Sequence, residues 1–78
     1  MTPEEQKDLE ANKEKVAKIQ DRTFAMAREV FRNNGDQSFM NMIGRGKQTI
    51  DQTVSDMVRQ AWKEIDRVWA DHLRKYPD

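Results

Sequence analysis

The chain has 78 residues, and its 14 lysine and arginine side chains are balanced by 14 aspartate and glutamate side chains. This balance argues against a protein that coats a polyanion, because such proteins are usually clearly basic. The absence of cysteine excludes disulfides, and one histidine cannot build an ordinary zinc site, so we expect neither a metal nor another cofactor. A domain this small has a marginal core, and oligomerisation or partner binding is the remaining means of stabilisation.

The sequence predicts neither a membrane span nor a secretion signal. No apolar run approaches the roughly 20 residues that cross a bilayer. The segment Met1-Thr2-Pro3-Glu4-Glu5 is acidic and lacks the apolar stretch of a signal peptide. We therefore expect a cytoplasmic protein without a membrane partner.

The first predicted element is a long helix over residues 3–33. Thr2 can cap it, Pro3 suits its first position, and Glu5 could complete a capping box. Asn33-Asn34-Gly35 predicts its end, because asparagine and glycine tolerate the left-handed conformation. Residues 4–15 are weakly apolar, and we expect them to fray or to stand clear of the core. Residues at heptad a and d spacing form a largely apolar stripe. Its apolar members are Leu9, Val16, Ile19, Met26 and Val30, its polar members are Asn12 and Thr23, and Phe24, Ala27 and Phe31 widen it towards its end.

The middle segment predicts a short helix over residues 37–43, capped by Asp36 and closed by Gly44. A short β-hairpin around Gly44-Arg45-Gly46 is the alternative. The stretch Gly44-Arg45-Gly46-Lys47 combines two glycines with two cations, which suits an anion or phosphate contact. A plain connection between two helices explains the same residues.

The third predicted element is a helix over residues 48–76, with Thr49 and Gln52 as a capping box. Arg74 and Lys75 suit its negative end, and Pro77 stops it. Its apolar residues fall in two rows. The inner row contains Ile50, Val54, Met57, Ala61, Ile65, Val68 and His72, and the second row contains Val58, Trp62, Trp69, Leu73 and Tyr76.

These elements predict an all-α fold, a single helical domain over residues 1–78. Two helices of about 45 Å each, joined by a short connection, are expected to fold back as an antiparallel hairpin. In a hairpin, the apolar residues Phe39, Met40, Met42 and Ile43 of the short helix would close the open end. The second row would stay uncovered, and a symmetric dimer that forms a four-helix bundle would cover it.

No catalytic pattern stands out, and we expect no enzyme. His72, next to Asp71, could be a pH switch or a lone ligand, but an ordinary half-buried histidine is the favoured interpretation. Nucleophilic catalysis would require Ser38 or Ser55 to meet this one base, and no nucleophile elbow supports that. The sequence also lacks the Glu-x-x-His pairs of di-iron bundles.

The preferred function is that of a small protein-binding regulator, adaptor or inhibitor that occupies a partner's surface, as small phage- and plasmid-encoded proteins do. Tryptophans seven residues apart share one helix face and are common at binding sites, although core packing, including the core of a dimer, is the favoured explanation of the pair. The predicted partner-binding residues are Trp62, Trp69, Leu73, Tyr76, Phe39, Arg45 and Lys47. One alternative is a dimeric nucleic-acid-binding protein that uses Arg45, Lys47, Arg59, Lys63 and Arg67. Another is a structural subunit of a larger helical complex.

Overall fold

A computed structural model describes residues 1–77, and every regular element within that range is helical. The helices are α1 (Pro3–Arg32), α2 (Gln37–Met42) and α3 (Ile50–Lys75). The predicted all-α class is confirmed, and the alternative β-hairpin does not form in the described residues. The predicted ends at residues 33, 43 and 76 each fall one residue late, and the predicted start at residue 48 falls two residues early.

Both long helices begin at threonine caps. The backbone N–H of Glu5 donates to Oγ1 of Thr2 at 3.1 Å, and Pro3 occupies the first turn of α1. The capping box of α3 is complete, because Thr49 accepts from the N–H of Gln52 while the Gln52 side chain accepts from the N–H of Thr49. These bonds satisfy amide groups that a helix leaves unpaired at its start.

The connection between α1 and α3 reverses the chain with residues in the left-handed conformation. Asn34 has a φ of 48° and Gly35 a φ of 70°. A Cβ on Gly35 would lie 3.2 Å from the side chain of Ile50, so both the backbone conformation and the space favour glycine there. Asp36 then caps α2 by accepting from the N–H of Phe39.

α1 packs against α3 in an antiparallel arrangement, consistent with the predicted hairpin. Asp8 contacts His72, and Arg22 contacts Glu64, so residue numbers rise along α1 as they fall along α3. The apolar core is small and consists of Val30, Met40, Ala61 and Ile65. The hairpin is long and thin, measuring 51 × 17 × 16 Å. Within residues 1–77, none of the helices is long and apolar enough to cross a membrane.

The first half of α1 does not stand clear of the core, and that prediction was wrong. Asn12 is 5% exposed and packs against the end of α3. Polar contacts hold this end of the hairpin together where the sequence offers few apolar side chains. Asp8 and Asn12 on α1 meet His72 and Lys75 on α3.

Candidate protein-interaction surface

The hairpin leaves several large apolar side chains uncovered along one side, and we call them the apolar face. It consists of Phe24 and Phe31 of α1 and Val58, Trp62 and Leu73 of α3. Phe24 and Trp62 are each 59% exposed, and Leu73 is 63% exposed. Phe31 follows Phe24 by seven residues and Leu73 follows Trp62 by eleven, so each pair lies on one side of its helix.

The centre of the apolar face is a shallow groove between the two long helices. Phe24, Val58 and Trp62 line it, and Ala61 and Ile65 form its floor. Its volume is about 70 Å³, so it could hold the tip of an apolar side chain of a partner. The groove therefore combines exposed aromatic rings with a small depression, a combination typical of protein-binding sites.

The two apolar rows of α3 have different environments. In the inner row, Ala61, Ile65 and His72 are buried against α1, and the other members are half-buried. In the second row, Val58, Trp62 and Leu73 are exposed. The apolar arc of α3 is wider than the contact that one neighbouring helix can make, so α1 covers only the inner row. The exposed members of the second row agree with the expectation for a single hairpin.

Trp69 and Tyr76, two of the predicted partner-binding residues, are only half-exposed because they pack on His72. The ring centroids of Trp69 and His72 lie 6.0 Å apart with the rings nearly perpendicular. Those of Tyr76 and His72 lie 5.3 Å apart with the rings tilted by 48°. These aromatic residues therefore continue the apolar face towards the end of α3 and are held there by a buried imidazole.

The structure does not bring all seven predicted partner-binding residues together. Phe39, Arg45 and Lys47 lie at the turn, whereas Tyr76 lies at the far end of α3, which is about 39 Å long at 1.5 Å per residue. Phe39 is partly buried in α2. The turn and the second row of α3 are thus separate surfaces.

The Gly44–Lys47 stretch uses much of its hydrogen-bonding capacity internally. The N–H of Gly44 donates to the carbonyl of Asn41, and the N–H of Arg45 donates to the carbonyl of Met40 at 2.7 Å. These bonds end α2, and Gly44 takes the left-handed conformation with a φ of 78° that this ending requires. These two amides are therefore not free to bind an anion.

The predicted nucleic-acid contacts are partly occupied as well. Arg45 lies 3.7 Å from a carboxylate oxygen of Asp56, and Arg59 lies 3.4 Å from the other. Among the described residues, Lys63 and Arg67 have no carboxylate within 4.0 Å. Two of the five predicted phosphate-binding cations thus share one acid.

A polar cluster joins α1 and α3 at the end of the hairpin farthest from the turn, and no pattern in the sequence predicted it. The Nδ1 atom of His72 lies 2.7 Å from Oδ2 of Asp8, and Nδ2 of Asn12 lies 3.1 Å from the same oxygen. The hydrogen bond with His72 lowers the pKa of Asp8; burial acts in the opposite direction, and nearby Lys75 and Asn12 again lower it. Asp8, not the neighbouring Asp71, is therefore the acid that pairs with His72.

The opposite side of the hairpin is charged. A groove of about 520 Å³ between α1 and α3 is lined mainly by charged side chains, among them Lys15, Arg22, Glu64 and Arg67. The Nη2 atom of Arg22 contacts Oε2 of Glu64 at 2.6 Å across this groove. The hairpin thus has a charged groove in addition to the apolar face.

Comparison of the chain with protein-family models, curated proteins and solved structures found no match. Its function is therefore inferred from the chemistry of its own surfaces.

Proposed function

We propose that this protein is a small non-enzymatic protein-binding module, a regulator, adaptor or inhibitor that acts in the cytoplasm by occupying a partner's surface. The observation that carries the proposal is the apolar face of Phe24, Phe31, Val58, Trp62 and Leu73 on a chain that is otherwise strongly polar. Groups of exposed large apolar side chains on one side of a molecule mark interaction sites in proteins.

The area of the apolar face supports a specific contact. Phe24, Phe31 and Trp62 are 58–59% exposed. At about 200 Å² per aromatic side chain, these three leave on the order of 350 Å² uncovered. Burying that area stabilises a complex by about 9 kcal/mol before the cost of association is subtracted. Val58 and Leu73 extend the same face and add to this area.

A second copy of the chain is the first partner that we propose. Two hairpins related by a two-fold axis would present the same face to each other, so each would cover the aromatic rings of its partner. The product is a four-helix bundle, which completes a core that one hairpin leaves small. A different protein with a complementary apolar groove would cover the face in the same way.

Nucleic-acid binding through Arg45, Lys47, Arg59, Lys63 and Arg67 is less favoured, because Arg45 and Arg59 already contact Asp56. A mobility shift that weakens steeply with salt would favour it over the present proposal.

The solution mass, measured by light scattering at several concentrations, tests the proposal first. We expect a dimer that dissociates in Trp62→Ser and persists in the matched control Lys63→Ser, whose site is an exposed polar position next to Trp62. If the wild type is a monomer at every concentration, affinity capture follows with the same pair of variants. Equal capture by Trp62→Ser and Lys63→Ser would overturn the proposed role of the apolar face.

A further inference from the structure

His72 is the only histidine in the chain, and it is buried where the two long helices meet. It is 8% exposed, and its Nδ1 atom lies 2.7 Å from Oδ2 of Asp8 on α1. The contact joins residues that are 64 positions apart in the sequence. His72 therefore connects the first turns of α1 to the last turns of α3.

The chemistry of the cluster places the proton on Nδ1 of His72. An ionised carboxylate can only accept, so Nδ1 must donate to Asp8. The Nδ2 atom of Asn12 lies 3.3 Å from the same Nδ1, but both atoms are then donors and cannot bond to each other. Asn12 donates to Oδ2 of Asp8 instead, at 3.1 Å. A second proton on the imidazole therefore binds at Nε2.

The same imidazole supports the aromatic end of the interaction surface. The ring of Trp69 lies 6.0 Å from it and the ring of Tyr76 lies 5.3 Å from it, measured between centroids. A cation within about 6 Å of an aromatic ring can be attracted by the π-system. A positive charge on His72 would therefore interact with the aromatic rings of two residues of the second apolar row.

The other charged groups around His72 come from both helices that pack at this end. α1 contributes Asp8 and Lys15, which line the same groove as His72, and α3 contributes Lys75, whose Nζ atom lies 3.6 Å from Oδ1 of Asp8. Asp71 and Arg74 of α3 line this groove too and pair with each other at 3.3 Å. Asp8 is therefore the anion in direct contact with the imidazole.

We propose that His72 is a positioning residue that makes the Trp69 and Tyr76 end of the interaction surface pH-responsive. Histidine changes its charge between roughly pH 5 and pH 8. When the imidazole is neutral, only the Asp8 carboxylate in this hydrogen bond carries a charge. When the imidazole is protonated, the hydrogen bond joins opposite charges and becomes stronger. The protonated form links the last turns of α3 more firmly to α1 beside Trp69 and Tyr76, and partner binding tightens several-fold when the imidazole gains its second proton.

The amino-acid composition makes this coupling directly measurable by nuclear magnetic resonance. The chain has one histidine, one tyrosine and two tryptophans, so the imidazole and phenol signals need no assignment, and Trp62→Phe identifies the indole of Trp69. At a protein concentration far above the dimer dissociation constant, where the dimer population does not change with pH, we expect the Tyr76 and Trp69 signals to change with the same midpoint as His72, and the Trp62 signal to stay constant. Independent midpoints would overturn the proposal.

Asp8→Asn is the variant that tests the route of the coupling. It keeps the size of the side chain and removes the charge, so the dissociation constant of the dimer should lose most of its pH dependence, while Tyr76 and Trp69 still sense the imidazole charge directly. Asp21→Asn is the matched control, because Asp21 is exposed on the same helix and makes no ion pair with a described residue. A wild-type pH dependence of the dissociation constant in Asp8→Asn would refute the role given to Asp8.

The effect on binding rests on the proposed function and has a separate measurement. The dissociation constant of the dimer, measured by sedimentation at about pH 5.5 and about pH 8, should be several-fold lower at the acidic value. Equal constants together with intact coupling of Tyr76 to His72 would overturn the regulatory part alone. Absence of any dimer at both values would count against the proposed self-association and against its regulation together, even if the coupling is intact.

Discussion

Ile65→Asp and Trp62→Asp place the same charge three residues apart on α3, and we expect opposite consequences. Ile65 is buried in the contact between α1 and α3, whereas Trp62 belongs to the apolar face. The first variant should unfold the hairpin. The second should leave it folded and abolish association.

The expected cost for Ile65 follows from its burial. Its side chain is 7% exposed, so replacing it forfeits about 3 kcal/mol of apolar burial. An unpaired carboxylate in the same apolar contact adds at least about 2 kcal/mol. The sum is about 5 kcal/mol, which is comparable to the whole stability that a core in a chain of this size supplies.

The expected cost for Trp62 is divided between folding and association. With about 250 Å² for a whole tryptophan side chain and 59% exposure, some 150 Å² is available to a partner and about 100 Å² is covered within the hairpin. At about 25 cal/mol/Å², these areas correspond to about 4 kcal/mol for association and at most about 2.5 kcal/mol for folding. Association should therefore weaken at least about 100-fold, since each 1.4 kcal/mol is a factor of ten.

Circular dichroism during urea unfolding and sedimentation velocity separate the two effects. Trp62→Asp should keep a helical spectrum in the absence of urea and sediment as a monomer. Ile65→Asp should lose most of its helical signal. A folded Ile65→Asp of native mass would refute the assignment of the inner row, and native association of Trp62→Asp would refute that of the apolar face.

Three further predictions concern the polar contacts of the hairpin. Because the pKa of Asp8 is lowered in the folded state, its carboxylate stabilises the fold at pH values above its unfolded pKa of 3.8, and this contribution is lost as the pH falls through the lowered folded pKa. The urea midpoints at about pH 7 and about pH 2 should therefore differ more in the wild type than in Asp8→Asn. Equal differences in the two proteins would exclude this contribution. Arg45→Glu replaces a partly buried partner of Asp56 by a like charge and should lower the free energy of unfolding by about 1 kcal/mol. An unchanged urea midpoint would show that this ion pair does not stabilise the fold. Thr49→Ala removes the acceptor for the N–H of Gln52 and should cost about 1 kcal/mol in a thermal melt, while Thr49→Ser should stay close to the wild type; equal losses in both would contradict the capping role.

The sequence allowed the helices to be predicted because their ends are determined by neighbouring residues. Thr2 and Thr49 each bond to an amide three positions later, and Gly35 takes a conformation that few other residues tolerate. The inner row of α3 was also predictable from its spacing. A face of period 3.6 that contains Ala61 and Ile65 packs on a neighbouring helix whatever that helix is.

The position of Phe24 and Phe31 could not be predicted in the same way. Both lie one position beyond the a and d stripe of α1, where a wide apolar arc can be either buried or exposed. The packing of α3 decides between these outcomes, and it leaves both rings in solvent. Arg45 shows the same limit, because its contact with Asp56 depends on how the turn packs on α3 and no local pattern specifies it.

The sequence by itself determined the helices, the turn and the existence of a second apolar row on α3, because these depend on residues within a few positions of one another. The tertiary structure alone decided that Asp8 and Asn12 meet His72, across 64 and 60 positions of the chain. No local pattern specifies such a contact. It exists because two antiparallel helices of a given length bring those turns to the same level, where polar side chains in a thin hairpin must find partners in each other.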